Sequence, residues 1–299
     1  MIDDRSGVDE FEALRRYLGS VAYRLLGSVS DAEDILQEAW LRWRATDRST
    51  VQEPRAYLTT VVTRLCYDQL GSARVRREAY YGEWLPEPLV AEENAPDRLA
   101  ELGEEVSLAL LAVLEELTPA ERTAFVLHDV FAVGFEEIAG SLNRTPDAAR
   151  QLASRARRRV RERGHRGRVD PAAHRRAVDA FAAAAARGDL QALLAVLDPD
   201  VVWHSDGGGV VSAGSRPVFG ADKVSRLVRG LTTKWLGPDS GYLASPVLVN
   251  GERGLAWHDA EGRIAGVLAF QVTDGRIAAA YVALNPQKLT HVTRLTVTD

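Results

Sequence analysis

Two stretches of this 299-residue sequence carry side chains whose type and spacing could do chemistry. In the first, Arg150, Gln151, Ser154, Arg155 and Arg158 recur at three- and four-residue steps, so a helix would put them on one face. Arginine pairs bidentately with guanine or phosphate and glutamine with adenine, so that face could read base edges. A solvated basic helix is the plainer alternative. The second stretch holds acid–base groups: His204, Asp206, Asp259 and Tyr281. They form no local catalytic signature. Asp206 precedes Gly207, Gly208 and Gly209 and reads as a turn residue bonding its own backbone, so no catalytic residue is assigned. Six scattered histidines and one cysteine leave no metal-ligand spacing. Cys66 falls on an apolar helical stripe and reads as core. No glycine loop with lysine is present to cradle phosphates, and no cofactor is implied.

The basic face needs a helix to carry it. Thr118-Pro119-Ala120-Glu121 is a capping box with proline at the first helical position. Phe125, Val126 and Val130 give this helix an apolar side. A break at Val133-Gly134 precedes a short helix, Phe135–Leu142. Asn143-Arg144 then turns the chain, and Thr145-Pro146 opens a second capped helix. Helix, short turn and arginine-laden helix form a helix-turn-helix that can enter the DNA major groove.

Upstream, a helix starts near Asp9 with Phe11, Leu14, Leu18, Val21, Ala22, Leu25 and Leu26 on one stripe, and Gly27 ends it. Ser30-Asp31-Ala32-Glu33 reads as a capping box for a second helix. That helix turns Ile35, Leu36, Ala39, Trp40 and Trp43 inward and Asp31, Asp34, Gln37, Glu38 and Arg42 outward. Pro54 opens a third helix. Leu58, Val62, Cys66 and Leu70 face in, and Arg55, Thr59, Thr60, Thr63, Arg64 and Tyr67 face out. These helices make a compact helical domain over 9–78 that closes on Arg74, Arg76 and Arg77. Residues 79–97 read as a linker. Trp84, Leu85 and Pro86 are apolar there, as in a segment docked on a surface. A helix from Pro96 through Leu114 joins the helix-turn-helix in a second domain, 98–166.

The last third, 171–290, changes pattern. Two helices (the second Leu190–Leu197), a strand near Val201–His204 and a helix at Gly220–Leu231 come first. Four alternating or apolar runs then follow, split by glycine turns at Asn250-Gly251 and Asp274-Gly275. The expected fold is two all-α domains followed by an α+β cone with a curved antiparallel sheet.

Composition bounds the rest. With 46% hydrophobic residues the chain can build real cores, and its net charge of −5 by itself argues against a general nucleic-acid binder. The basic segments are local, at Arg74–Arg77 and Arg150–Arg168. No apolar run spans a membrane, and the start MIDDRSG is unlike a signal peptide, so a cytoplasmic protein with no membrane partner is expected.

DAEDILQEAWLRW, followed by LTPAERTAFVLHDVFAVGFEEIAGSLNRTPDAARQLASRARRRV, resembles regions 2 and 4 of the extracytoplasmic-function sigma factors. The resemblance covers about Asp9 to Arg163. It implies core RNA polymerase and promoter DNA as partners. Asp31, Asp34, Gln37, Glu38 and Leu41 would grip the polymerase. Arg64, Arg74, Arg76 and Arg77 would lie where the −10 element opens, although family members often carry asparagine where this chain has Arg64. Thr145, Arg150, Gln151, Ser154, Arg155 and Arg158 would read the −35 element. The final third resembles the SnoaL-like, NTF2-like fold. WLPEP, Asp206-Gly-Gly-Gly209 and Asn285-Pro286-Gln287-Lys288-Leu289 resemble signatures of the sigma-factor subgroup that carries this domain. They imply an interdomain, regulatory role for Trp84, Leu85, Pro86, Asp206, Gly207, Gly208, Gly209, Asn285, Pro286 and Lys288. Gln287 replaces a usual aspartate, so no salt bridge is expected from that position. A small ligand in the cone stays open as a further partner. The alternative is a SnoaL-like enzyme joined to a DNA-binding module.

Overall fold

The computed structural model describes residues 4–78, 80–93, 106–162, 170–235 and 240–292, without side chains at 4–6 and 73–78. It divides into two compact units. One comprises Met1–Ala79, Ala100–Glu104 and Val113–Arg166, and the other Tyr80–Leu99, Glu105–Ala112 and Gly167–Asp299. Most of the helix expected from Pro96 lies outside the described residues. Only its end appears, as Leu108–Leu114.

The first unit is helical. Helices α1 (Asp4–Leu26), α2 (Val29–Ala45) and α3 (Pro54–Glu78) form a bundle. Phe11, Leu18, Val21, Leu25 and Leu26 on α1 are fully buried, as their helical spacing requires. The cap of α2 differs from the sequence reading. Ser28, two residues before Ser30, is the N-cap, and its hydroxyl accepts from Asp31 N–H at 3.1 Å. Glu33 is thereby free of capping and pairs with Arg15 on α1 at 2.8 Å.

After α4 (Leu108–Leu114) come α5 (Pro119–Phe125), α6 (Phe135–Leu142) and α7 (Pro146–Glu162). The Thr118 capping box is complete: Thr118 accepts from Glu121 N–H, and Glu121 accepts from Thr118 N–H. The break after α5 is a π-helical turn, Val126–Val130, closed by Ala132 at φ 55°. His128 stacks on Phe135 at 4.0 Å and fixes the corner. Asn143, left-handed at φ 52°, ends α6, and the Thr145 hydroxyl caps α7 by accepting from Ala148 N–H.

The outer face expected for α3 is corrected. Thr59 and Thr63 are buried, because α3 packs on α5 and α6 as well as within its own bundle. Arg64 reaches across to donate to the Gly140 carbonyl of α6 at 3.0 Å.

The second unit holds a seven-stranded sheet in the order β1-β4-β5-β6-β7-β2-β3. Its strands are β1 (Val90–Ala91), β2 (Leu197–Asp206), β3 (Val218–Phe219), β4 (Leu243–Val249), β5 (Glu252–His258), β6 (Ile264–Thr273) and β7 (Arg276–Ala283). The antiparallel expectation fails at one place, where β2 runs parallel to β7 with Trp203 beside Ala280. Chain separation allows this. The helix and four strands between β2 and β7 form the long crossover that parallel pairing requires. Asn250-Gly251 and Asp274-Gly275, all at positive φ, make the tight turns of β4–β5 and β6–β7.

Helices α8 (Pro171–Arg187), α9 (Leu190–Val196) and α10 (Ala221–Trp235) contribute to a single apolar core with the sheet. The second of these stops one residue short of the expected end, because Leu197 already pairs with Ile277. Phe181 meets Phe270 edge-on at 5.0 Å, close to Trp203 in this core. Phe181→Ala should therefore cost the second unit about 3–5 kcal/mol. Urea unfolding followed by tryptophan fluorescence, with Trp203 inside the affected core, measures it.

Candidate functional site

Strand β2 ends at Asp206, and the structure gathers residues of the WLPEP, DGGG and NPQKL strings around that carboxylate. Asp206 is 0% exposed. Alternation along the strand sends His204 and Asp206 to the sheet face opposite Trp203. Four donors converge on the Asp206 carboxylate. Tyr80 Oη at 2.7 Å and Gly208 N–H at 3.0 Å reach one oxygen. Leu85 N–H at 2.8 Å and Lys288 Nζ at 2.7 Å reach the other. The turn bond expected from sequence is thus present in Gly208 N–H, as one part of a buried ion pair.

Lys288 is positioned by a 3-10 turn, Pro286–Lys288, which Asn285 caps by accepting from Gln287 N–H. Its ammonium also donates to the Leu85 carbonyl at 2.5 Å and lies 3.8 Å from the centre of the Trp84 ring. A buried cation so enclosed exchanges water for a carboxylate, a carbonyl and an aromatic face. Asn285 donates to Tyr80 Oη at 2.7 Å. Burial first, then the Asp206 bond, pushes the Tyr80 phenol well above its ordinary range, so it stays a donor. Gly208 is obligatory: its φ is +62°, and a Cβ there would lie 2.3 Å from Asn285 Nδ2. Pro86 is buried in the same cluster, Gly207 is buried, and Gly209 and Pro286 are exposed at its rim.

Residues 80–93 are therefore part of the second unit and its sheet. Glu83 accepts from His204 Nδ1 at 2.8 Å and from Ser205 N–H at 3.2 Å. Leu89 and Asn250 exchange two bonds, and β1 then pairs with β4, Val90 beside Val249. Glu93 pairs with Arg175 at 3.2 Å and with Arg253. Of the other acid–base candidates, Tyr281 donates to Gln271 and stacks with His204 at 5.0 Å. Asp259 sits in the β5–β6 turn, bonded to Arg263 at 2.6 Å.

In the helical unit, Thr145, Arg150, Gln151, Ser154, Arg155 and Arg158 are all exposed along α7. Arg150 is bonded to Asp147 at 2.5 Å and lies over Phe135. Arg155 is tied at 3.1 Å to Glu121, which also binds Arg159 at 2.8 Å. Sequence reasoning gave Glu121 a capping role only; Arg155 and Arg159, one turn apart, were the available signal. Burial opposes the Glu121 charge, but bonds from Thr118 and Arg155 and the Arg159 charge outweigh it and hold its pKa below the ordinary 4.5.

Arg122 was also missed. It is fully buried, bonded to Glu115 and to the Arg24 carbonyl at the end of α1. Burial lowers its pKa to about 9, which leaves it cationic at neutral pH. Beside it, Phe131 takes the Tyr17 ring edge-on at 5.4 Å and the Arg24 guanidinium at 4.9 Å. On α2, Asp34, Gln37 and Leu41 are exposed while Asp31 and Glu38 are half-buried. Leu41 is a large apolar side chain 56% open to solvent. The side chains of Arg74, Arg76 and Arg77 lie outside the described residues.

Three family profiles match in chain order: Sigma-70 region 2 at residues 11–76, Sigma-70 region 4 at 107–160 and a SnoaL-like domain at 178–280. Over 293 residues the chain is 47% identical to the ECF RNA polymerase sigma factor SigJ of Mycobacterium tuberculosis, covering 95% of this chain and 93% of that one. This chain is an extracytoplasmic-function sigma factor. It is also 36% identical to the probable ECF sigma factor SigI of M. tuberculosis over 283 residues, 93% of each chain. The crystal structure of SigJ matches with a TM-score of 0.79 at 44% identity, covering 95% of this chain and 98% of that one. In this sigma factor α1–α3 belong to region 2, α5–α7 to region 4 and the sheet unit to the SnoaL-like domain. Among the described residues no helix is long and apolar enough to cross a membrane.

Two outcomes follow for the sigma factor. Lys288→Met should strand a buried carboxylate and cost about 3–5 kcal/mol, part of which the Asp206→Asn, Lys288→Met double variant regains. Denaturant midpoints of the three proteins measure this. Glu121 has a depressed folded-state pKa, so its contribution is fully present above its unfolded value near 4.5 and is lost as pH falls through the folded value below it. Below pH ~4.5 the stability gap between wild type and Glu121→Gln should close; a gap independent of pH would show that the Glu121 charge does not contribute.

Proposed function

We propose that this sigma factor directs core RNA polymerase to promoters, reading the −35 element with α7 and opening the −10 element on α3. Its C-terminal unit then regulates initiation through residues 80–93. Region 2 would meet the polymerase through the α2 face of Asp31, Asp34, Gln37, Glu38 and Leu41; an exposed leucine among acidic groups suits a partner surface. Arg64, with Arg74, Arg76 and Arg77, would serve the −10 element. Thr145, Arg150, Gln151, Ser154, Arg155 and Arg158 would face the −35 element, base contacts coming first from the start of the helix.

The observation that carries the regulatory part is the burial of Asp206 with Lys288 around the backbone of Leu85. Residues 80–93 stand in sequence between region 2 and region 4. With them held on the SnoaL-like sheet, they cannot act as free tether, and the reach between the two DNA-binding regions shortens. Regulation through the tether is favoured over a small ligand, because Phe181, Trp203 and Phe270 belong to one apolar core shared by helices and sheet. A non-enzymatic role is supported by the structural bonds that occupy His204, Tyr281 and Asp259.

Run-off transcription with purified core polymerase tests this reading. Wild type should give promoter-dependent transcript, and Lys288→Met should change its yield severalfold while opening residues 80–93 to limited proteolysis. An unchanged yield despite the new cleavage would make the SnoaL-like domain a passive appendage.

A further inference from the structure

Every cation described so far on α7 faces a carboxylate, but one carboxylate differs from the rest. Asp147, Asp129 and Glu162 are near or on the surface, beside Arg150, Arg157 and Arg158. Glu121 is buried, and it takes two arginines at once. Its first oxygen meets Arg155 Nε, and its second meets Arg159 Nη1 together with Thr118 N–H and Oγ1. Both arginine side chains remain nearly half exposed, at 47% and 45%. They are thus held by their guanidinium ends to a fixed internal anion while their flanks stay open to solvent.

We propose that Glu121 is a specificity-determining positioning residue: it clamps the recognition helix to α5 and holds Arg155 and Arg159 away from the DNA phosphates, which takes Arg155 out of the −35 contact set and leaves that reading to Thr145, Arg150, Gln151, Ser154 and Arg158. Phosphate contacts raise affinity for every sequence alike, whereas base contacts discriminate. A helix with two fewer arginines available to phosphate keeps its preference and loses non-specific affinity. The clamp also fixes the rotation of α7, since the two arginines are one turn apart on a single face. This inference rests on the reading of α7 as the −35 helix.

The test separates the clamp from the cap. Glu121→Gln keeps a side chain that can close the capping box but removes the charge. Thr118→Ala removes the cap and keeps the charge. Both are assayed as the full chain on DNA with and without a −35 element across a salt series, and as holoenzyme in transcription. Glu121→Gln should bind non-specific DNA several-fold more tightly, with a log–log salt slope steeper by about one to two, since each phosphate contact contributes about 0.9. Its −35 selectivity should fall several-fold, and adding Arg155→Gln and Arg159→Gln should return the slope to wild type. Thr118→Ala should lower the melting temperature without moving the slope. Equal slopes for wild type and Glu121→Gln, or the same shift in Thr118→Ala, overturn the proposal. Arg150→Ala is the control for the underlying reading: if it leaves −35 selectivity intact, α7 is not the reading helix and that reading fails first.

Discussion

A single buried ion pair organises the C-terminal half of this protein. Asp206 and Lys288 each need partners, because a buried charge left alone is far costlier than a buried apolar group. The partners come from three places in sequence: the end of β2, the 3-10 turn after β7, and the segment before β1. Each supplies what the others lack. The strand gives the carboxylate, the turn gives the ammonium, and residues 80–85 give a phenol, an N–H, a carbonyl and two aromatic faces. Removing the segment would leave Asp206 with Gly208 N–H and Lys288 and would strip the lysine of its carbonyl and rings. Electrostatics therefore makes residues 80–93 obligatory to the sheet unit, although they follow region 2 in the chain.

The helical unit uses the same device in two forms. Arg122, bonded to Glu115 and the Arg24 carbonyl, joins region 4 to the end of the first region 2 helix. Glu121, its neighbour in sequence, faces the other way and joins α5 to α7. Adjacent residues on a helix point about 100° apart, so one dipeptide can bond to two different elements. The cost falls on α3. Its Thr63 is buried with an unsatisfied hydroxyl, and Arg64 is spent on a carbonyl of α6. Arg64 is still exposed beside that bond, so of the two only the Thr63 hydroxyl is shut off from solvent.

Much of this architecture was legible in the sequence. The apolar stripes, the Thr118 capping box and the Asn-Gly and Asp-Gly turns are local signals, fixed within a few residues, and the helices and hairpins follow from them. The parallel pairing of β2 with β7 was not legible, because alternation says which face is buried and nothing about which strand lies beside it. Thr59 and Thr63 were misjudged for a related reason: polarity suggests solvent, yet α5 and α6 pack on α3, and there Thr59 bonds its own helix at the Arg55 carbonyl while Thr63 is buried without that compensation. For the site, WLPEP, DGGG and NPQKL were each visible as strings. Their meeting point was not, since Asp206 alone reads as a turn former and Tyr80 carries no local signal at all.

Gln287 sharpens the last point. The sequence pattern placed an acid at this position and drew attention to its loss. In the structure residue 287 is exposed and contributes its backbone N–H to the Asn285 cap, while the buried charge comes from the next residue, Lys288. A polar side chain at an exposed turn position can change without disturbing that cap, because the bond uses backbone. Asn285, Lys288 and Gly208 have no such freedom: one caps the turn and holds Tyr80, one balances a charge, and one leaves the space that Asn285 fills. The tolerance of each position in the string therefore follows from whether its side chain or only its backbone enters the cluster around Asp206 and Lys288.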